Sequence, residues 1–248
     1  MVETALTMPM MIFTLLAIVQ MTAAHHARIL AEYAAFKAVR SGSVYRAECD
    51  CMLKAGLVAL VPSIMEPADT RRPGERPTLR TGANYRTMFE NTASYAERNQ
   101  TAKGTPILWL GYKLENDSGL KDFDEQLESG KTPWILRVKL TYFYQLRIPF
   151  ANYVMTRFWI ASQTGGSWGN SANTDVINFA KKPGRLTGTN SSELIDEVEQ
   201  ALKVREYVMP IVSSWSMRMM SNPMPGAAPQ GEGDCKQTAA QGGKLCGE

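Results

Sequence analysis

Histidine is nearly missing from this chain, with two in 248 residues, at positions 25 and 26. There is no phosphate-binding Gly loop and no nucleophile elbow, so the usual sets of hydrolytic and phosphoryl-transfer residues are absent. An excess of one charge is lacking too. The 27 Lys and Arg against 24 Asp and Glu leave a formal +3, too small and too dispersed to point to nucleic acid as a partner. The four cysteines fall at 49, 51, 235 and 246, away from the CxxC…CxxC spacing of tetrahedral zinc, and no CxxCH is present for covalent haem. No cofactor, metal or catalytic residue is therefore expected, and a structural or binding role is favoured over an enzyme. With 44% apolar and 21% charged residues, the chain is neither wholly disordered nor a polytopic membrane protein.

A basic stretch before the first apolar run is also lacking, because the leading residues are Met1, Val2 and the acid Glu3. A cleavable secretory signal opens with Lys or Arg, so the chain reads as one from which a basic leader has already been removed. From Thr4 to Ala24 no charge occurs, and at about 1.5 Å per residue this segment spans about 31 Å, the thickness of a bilayer's hydrocarbon core. Burying Glu3 in lipid costs roughly 2.5 kcal/mol or more, whereas a helix N-terminus returns only about 0.3–1 kcal/mol. A neighbouring chain's amino terminus is the expected partner. Pro9 lacks a donor and crowds the carbonyl four residues back, which predicts a bend or local unwinding there.

Past the apolar run the helical spacing continues. Ile29, Leu30, Tyr33, Phe36 and Val39 recur at three and four, extending one helix into an amphipathic stem that stops at Ser41 and Gly42. Ala23, Ala24, Ala27, Ala31, Ala34, Ala35 and Ala38 are small on several sides and permit close approach of neighbouring helices. His25 and His26 read as a solvated pair at the lipid headgroups.

Glu3, Thr4, Ala5, Leu6, Pro9, the apolar run and the small and aromatic positions through Gly42 resemble the opening signature of TadE-like pilins, of the tight-adherence branch of type IV pili. Weaker likenesses lie in Ile135 to Phe150, a strand ending in Pro149 and Phe150, and in the Pro-containing stretch Met209 to Met219. The resemblance implies a structural subunit, made as an inner-membrane precursor, cleaved by a prepilin peptidase and passed by pilus assembly machinery into a helical homo-oligomeric surface filament for adhesion. Glu3, Leu6, Pro9, Ile12, Leu15, Leu16 and Val19 are the assembly candidates. The alternative is a membrane-anchored periplasmic accessory protein, a minor pseudopilin that does not polymerise.

The rest predicts an α+β fold: the long N-terminal hydrophobic helix, a head with a small antiparallel β-sheet, and an extended C-terminal tail. Leu136 through Ile148 alternates apolar and polar residues, with Phe143 alone breaking the polar face. Ile107–Leu114 and Val208–Met219 are further strands, the latter placed by Pro210 at an edge or bulge. Helices are predicted over Asn84–Asn99, Asp122–Glu128 and Ser192–Arg205. The boundaries expected are 1–42 for the helix, 43–220 for the head and 221–248 for a Gly- and Pro-rich tail.

A bridge between Cys49 and Cys51 closes too small a ring, so bridges from this pair to Cys235 and Cys246 are preferred, with a local Cys235–Cys246 loop as the alternative. Metal binding with the adjacent His25 and His26 is disfavoured because they face different helix directions. The acids Glu115, Asp117, Asp122, Asp124, Glu125 and Glu128 lack the EF-hand order and read as a solvated face or a contact with basic residues. Trp159 and Trp168, around Gly165 and Gly166, form either a surface recognition loop or a loop packed on the sheet.

Overall fold

A computed structural model describes residues 2–64, 98–101, 103–115, 134–164, 191–221, 223 and 232–235. The opening apolar run and the stem form one helix, α1 (Val2–Val44). At about 1.5 Å per residue it is roughly 65 Å long. Pro9 lies inside it without interrupting it, so the predicted local unwinding is not found. Proline removes a single backbone donor, which one turn of helix can lose without coming apart.

The predicted stop at Ser41 and Gly42 is also corrected, since the helix continues to Val44. Gly42 is there for space. A Cβ built on it would lie 2.5 Å from Met52 Sδ and 2.6 Å from Leu136 Cδ2, closer than any side chain tolerates. The chain turns at Arg46 and Ala47, both left-handed with φ of 55° and 62°, while the Ala47 amide donates to the Gly42 carbonyl at 2.8 Å. It then returns along α1 as α2 (Cys49–Ile64), a helix that the sequence reading did not foresee.

The sheet contains β1 (Leu108–Glu115), β2 (Ile135–Gln145), β3 (Val208–Arg218) and β4 (Glu232–Cys235). Its order is β3-β2-β1-β4, antiparallel throughout. β3 is an edge strand, a place where the missing donor of Pro210 takes nothing from a neighbouring strand. Leu136, Val138, Leu140, Tyr142 and Tyr144 of β2 are buried on the face that receives α1 and α2. On that face Gly56 of α2 brings its backbone close to Leu108 and Leu140, and Phe36 of α1 meets Trp215 edge-on at 5.7 Å.

The other face changes along its length. Near the start of β2 it is charged, with Arg137 and Lys113 both paired to Glu115 at 2.9 and 3.6 Å. Toward the end of β2 it is apolar, where Phe143 is buried and stacks edge-on with Trp109 at 4.9 Å. Phe143 is therefore no accident in a polar face, because the sheet is covered on both sides at that level. Asn99 prepares β1 by mimicking a strand, accepting from the Leu108 amide at 3.0 Å and donating to its carbonyl at 2.7 Å.

Two helices complete the described head, α3 (Ala151–Thr164) and α4 (Ser191–Lys203). Both pack against β3 and against each other. Leu194, Val198 and Ala201 form the buried face of α4, close to the spacing predicted for it. Asp122–Glu128 and all but the end of Asn84–Asn99 lie outside the described residues, as does most of the tail beyond Ser221.

Candidate functional site

α1 has two parts with different surroundings. From Thr7 to Val19 no side chain is buried by the rest of the chain, and from Gln20 onward one face is covered by the head. Ile12, Leu15 and Val19 are 54%, 62% and 56% exposed, Pro9 is exposed and Leu16 half-buried. The side chains of Glu3 and Leu6 lie outside the described residues. Met8, Met10, Met11, Ile18 and Met21 extend the same surface.

Two of its hydroxyls are satisfied within the helix. Thr14 Oγ1 donates to the Met11 carbonyl at 2.8 Å and Thr22 Oγ1 to the Ile18 carbonyl at 3.0 Å. Self-sufficiency of this kind is what a lipid environment requires. By length and composition α1 is able to cross a membrane.

The boundary between the two parts is polar. Gln20 is 1% exposed, and its Oε1 accepts the Ile148 amide at 3.1 Å just past the end of β2. Its Nε2 completes no hydrogen bond but neighbours the Tyr144 hydroxyl closely enough to oppose the rise that burial imposes on that phenol. Arg147 closes the same rim, donating from Nη2 to the Ile64 carbonyl at the end of α2 at 3.1 Å. Behind it Tyr142 shares a 2.9 Å hydrogen bond with Ser63, and burial pushes the Tyr142 phenol up to about 12.

The stem departs from the predicted face at two of its five positions, since Val39 is buried and Leu30 and Phe36 are half-buried but Ile29 and Tyr33 turn outward. Ala24, Ala27, Ala31, Ala34, Ala35 and Ala38 are the residues buried against the head, while Ile29 and Tyr33 are 51% and 47% exposed. Alanine wins the inner face because α2 and the sheet approach the α1 backbone too closely for larger side chains, the same constraint that places Gly42. The alanines are thus committed within the chain and do not offer a free surface to other copies. Outward the stem is mixed, with exposed His25, His26, Glu32 and Arg40, and Arg28 paired to Glu32 at 3.3 Å.

At the far end of the head, Cys49 is bridged to Cys235, with Cα atoms 5.5 Å apart and 186 residues of sequence separation. The bridge fixes β4, whose Glu-Gly-Asp-Cys sequence has little strand propensity of its own, onto the β1 edge. Cys51 is also in a disulfide, and Cys246 lies outside the described residues.

The surface-loop reading of Trp159 is corrected, since it lies in α3 and is 5% exposed. Trp168, Gly165 and Gly166 lie outside the described residues, as do the acids from Asp117 to Glu128. Glu206 is a buried carboxylate that the sequence did not single out. It accepts from Thr101 at 3.1 Å and also from Thr105 and Gln145, which ties the 101–105 turn to the sheet. A cavity of about 10 Å³ beside this turn, lined by residues including Tyr142 and Gln145, has room for about one water. Among the described residues no three His, Cys, Asp or Glu side chains converge as a metal site would require.

The surface best suited to act on something outside the chain is therefore the free part of α1. No curated protein and no solved structure is significantly similar to the chain. The opening segment does have a relative, because residues 1–40, the span that holds the exposed apolar run and most of the alanine-faced stem, match the family described as TadE-like protein.

Proposed function

We propose that the chain is a structural subunit of a tight-adherence-type pilus system, held in the inner membrane by the free part of α1 and assembled through it into a surface filament. The observation that carries this reading is the side-chain exposure from Thr7 to Val19, where only Leu16 and Ala17 are partly covered and no side chain is fully buried. Each large apolar side chain left there gains roughly 1.5–3 kcal/mol on leaving water, so lipid or the helices of other copies must cover them. The TadE-like match over residues 1–40 supports the same system. A prepilin peptidase and the pilus assembly machinery are the partners in this reading, and the role is one of scaffold rather than catalyst.

One observation favours the accessory reading, in which the subunit stays in the membrane. The stem's alanines face the chain's own head, and its outer face mixes Ile29 and Tyr33 with His25, His26, Glu32 and Arg40, so an unbroken apolar contact surface does not continue along the rod. Electron microscopy of the purified full chain after detergent removal separates the two. Filaments with a helical core are expected of a pilin, and discrete particles that stay lipid-bound would overturn polymerisation in favour of the accessory role.

A further inference from the structure

The end of the head nearest the free part of α1 carries a second exposed apolar surface. Tyr153, Val154 and Phe158 are 50%, 47% and 69% exposed at helical spacing along the outer side of α3, and Phe150, in the turn just before the helix, is 74% exposed. Arg157 stands on the same side, over the Tyr153 ring at 5.5 Å. The inner side is fully used by the head, where Ala151, Thr156, Trp159 and Ile160 are buried. Phe150 also has φ of 65°, a left-handed backbone that a bulky aromatic residue rarely adopts. Strain of this kind, holding an aromatic ring outward, gives the fold no packing in return.

The placement of this face says what covers it. The Ile148 amide bound to Gln20 puts the turn that leads into α3 at the level where α1 leaves the head, and α3 itself touches α1. The opposite end of the head is marked by the Met220 amide on the Ser43 carbonyl. Residues 2 to 19 of α1 measure about 27 Å along the helix axis, close to the roughly 30 Å of a hydrocarbon core. When that segment spans the bilayer, little length remains to hold the head away from it, and the rim bearing α3 reaches the headgroups. Aromatic rings with a basic residue among them are the chemistry that layer accepts.

We propose that α3 and the Phe150 turn form a membrane-docking face. Phe150 and Phe158 enter the headgroup layer of a phospholipid bilayer, Arg157 meets its phosphates, and the head is thereby held at a fixed tilt against the surface. This rests on α1 spanning the membrane, and the test separates the two ideas. No described cysteine is free, so single nitroxides placed through Leu15→Cys, Val58→Cys, Val154→Cys and Phe158→Cys report one site each. Val58 is exposed on α2, away from the rim, and serves as the aqueous reference.

The full chain is reconstituted in vesicles of phosphatidylethanolamine and phosphatidylglycerol. Collisions with oxygen, which enters lipid, are compared with those of a water-soluble nickel chelate. Labels at 154 and 158 should favour oxygen several-fold more than the label at 58, and less than the label at 15. Adding Arg157→Glu to the Val154→Cys protein should shift that label toward water. If 154 and 158 meet nickel as freely as 58 while 15 reads lipid, the span stands and docking is wrong. If 15 reads water as well, the span fails and docking fails with it. Strong dipolar broadening between copies labelled at 158 would assign the face to a second subunit and overturn lipid docking.

Discussion

The Ile148 amide donates to Gln20 Oε1 at 3.1 Å, and this bond marks the residue at which α1 stops being free and becomes part of the head. Gln20 is buried although it follows a run of exposed apolar side chains, because the rim after β2 closes over it. The border between the exposed apolar part and the folded part thus falls at residue 20, several residues before the end of the uncharged stretch.

Removing residues 1 to 19 should therefore yield a soluble, monomeric head with cooperative unfolding. Cutting after Ala24 should do harm, since it removes the acceptor of the part-buried Ile148 amide together with the packing of Gln20, Ala23 and Ala24 on the head, at roughly 1–3 kcal/mol. Comparison of the two truncations by thermal melting should show the longer deletion lower by several degrees. Self-association of the shorter truncation in sedimentation would show that the head also carries assembly contacts.

Gly42 lies where Met52 and Leu136 press on the α1 backbone. Gly42→Ala should lower stability by about 1–3 kcal/mol through overpacking, even though alanine is the better helix former. Urea unfolding of the truncated head measures it. A variant more stable than the parent would mean that α1 and α2 can part without loss.

The Cys49–Cys235 bridge closes a loop of 186 residues and thereby limits the unfolded chain. In the chain-entropy model that constraint is worth up to about 5 kcal/mol. Cys49→Ser with Cys235→Ser should lower the melting temperature and also free β4, which is visible as faster amide exchange at Leu110 to Lys113, where β4 pairs. Unchanged exchange there would show that β4 holds its edge without the covalent tie.

What the sequence made legible, and what it hid, follows from how each residue's neighbours are chosen. The long helix, the strand over Leu136 and the face of α4 are written in local periodicity, which depends on the chain's own repeat and little else. The stem's inner face is decided by distance to α2, and no spacing within 27–38 shows that alanine rather than Ile29 or Tyr33 turns inward. α2 runs apolar without a break from Leu57 to Val61, so no polar face marks its period, and α3 exposes Tyr153, Val154 and Phe158 while burying Thr156, so its apolar residues do not sort to one side. β4 could not be seen at all, since four residues with poor strand propensity are held by a bond to a cysteine far away in sequence.

Burial raises the Tyr142 phenol from 10.0 to about 12 and the Tyr144 phenol in the same direction. The unfolded phenol ionises first, near pH 10, so the protonated folded form contributes stability that is complete below about pH 10 and is lost as pH rises toward about 12. For Tyr142 the loss across that window is about 2–3 kcal/mol. Tyr142→Phe should be less stable at neutral pH for want of the Ser63 hydrogen bond, yet its stability should decline less steeply in alkali. Parallel alkaline declines in the two proteins would count against a buried, protonated Tyr142.

The backbone of Glu3 is helical in α1, and no Lys or Arg occurs in the sequence before Arg28. A carboxylate in lipid without a partner costs roughly 2.5 kcal/mol or more, and the helix dipole offsets only about 0.3–1 kcal/mol of it. The remainder is compensated if a positive group of a neighbouring copy comes within ion-pair distance when subunits pack. Glu3→Ala removes the cost together with the pairing, so membrane insertion should be unchanged or stronger while assembly falls. Glu3→Gln, which keeps size and hydrogen bonding but not charge, should show the same assembly loss. Insertion is measured by flotation with vesicles, and assembly by filament yield or, for an accessory subunit, by its recovery in the assembled complex. Full assembly in either variant would mean that the apolar surface from Thr7 to Val19 suffices and that the acid has no part in bringing subunits together.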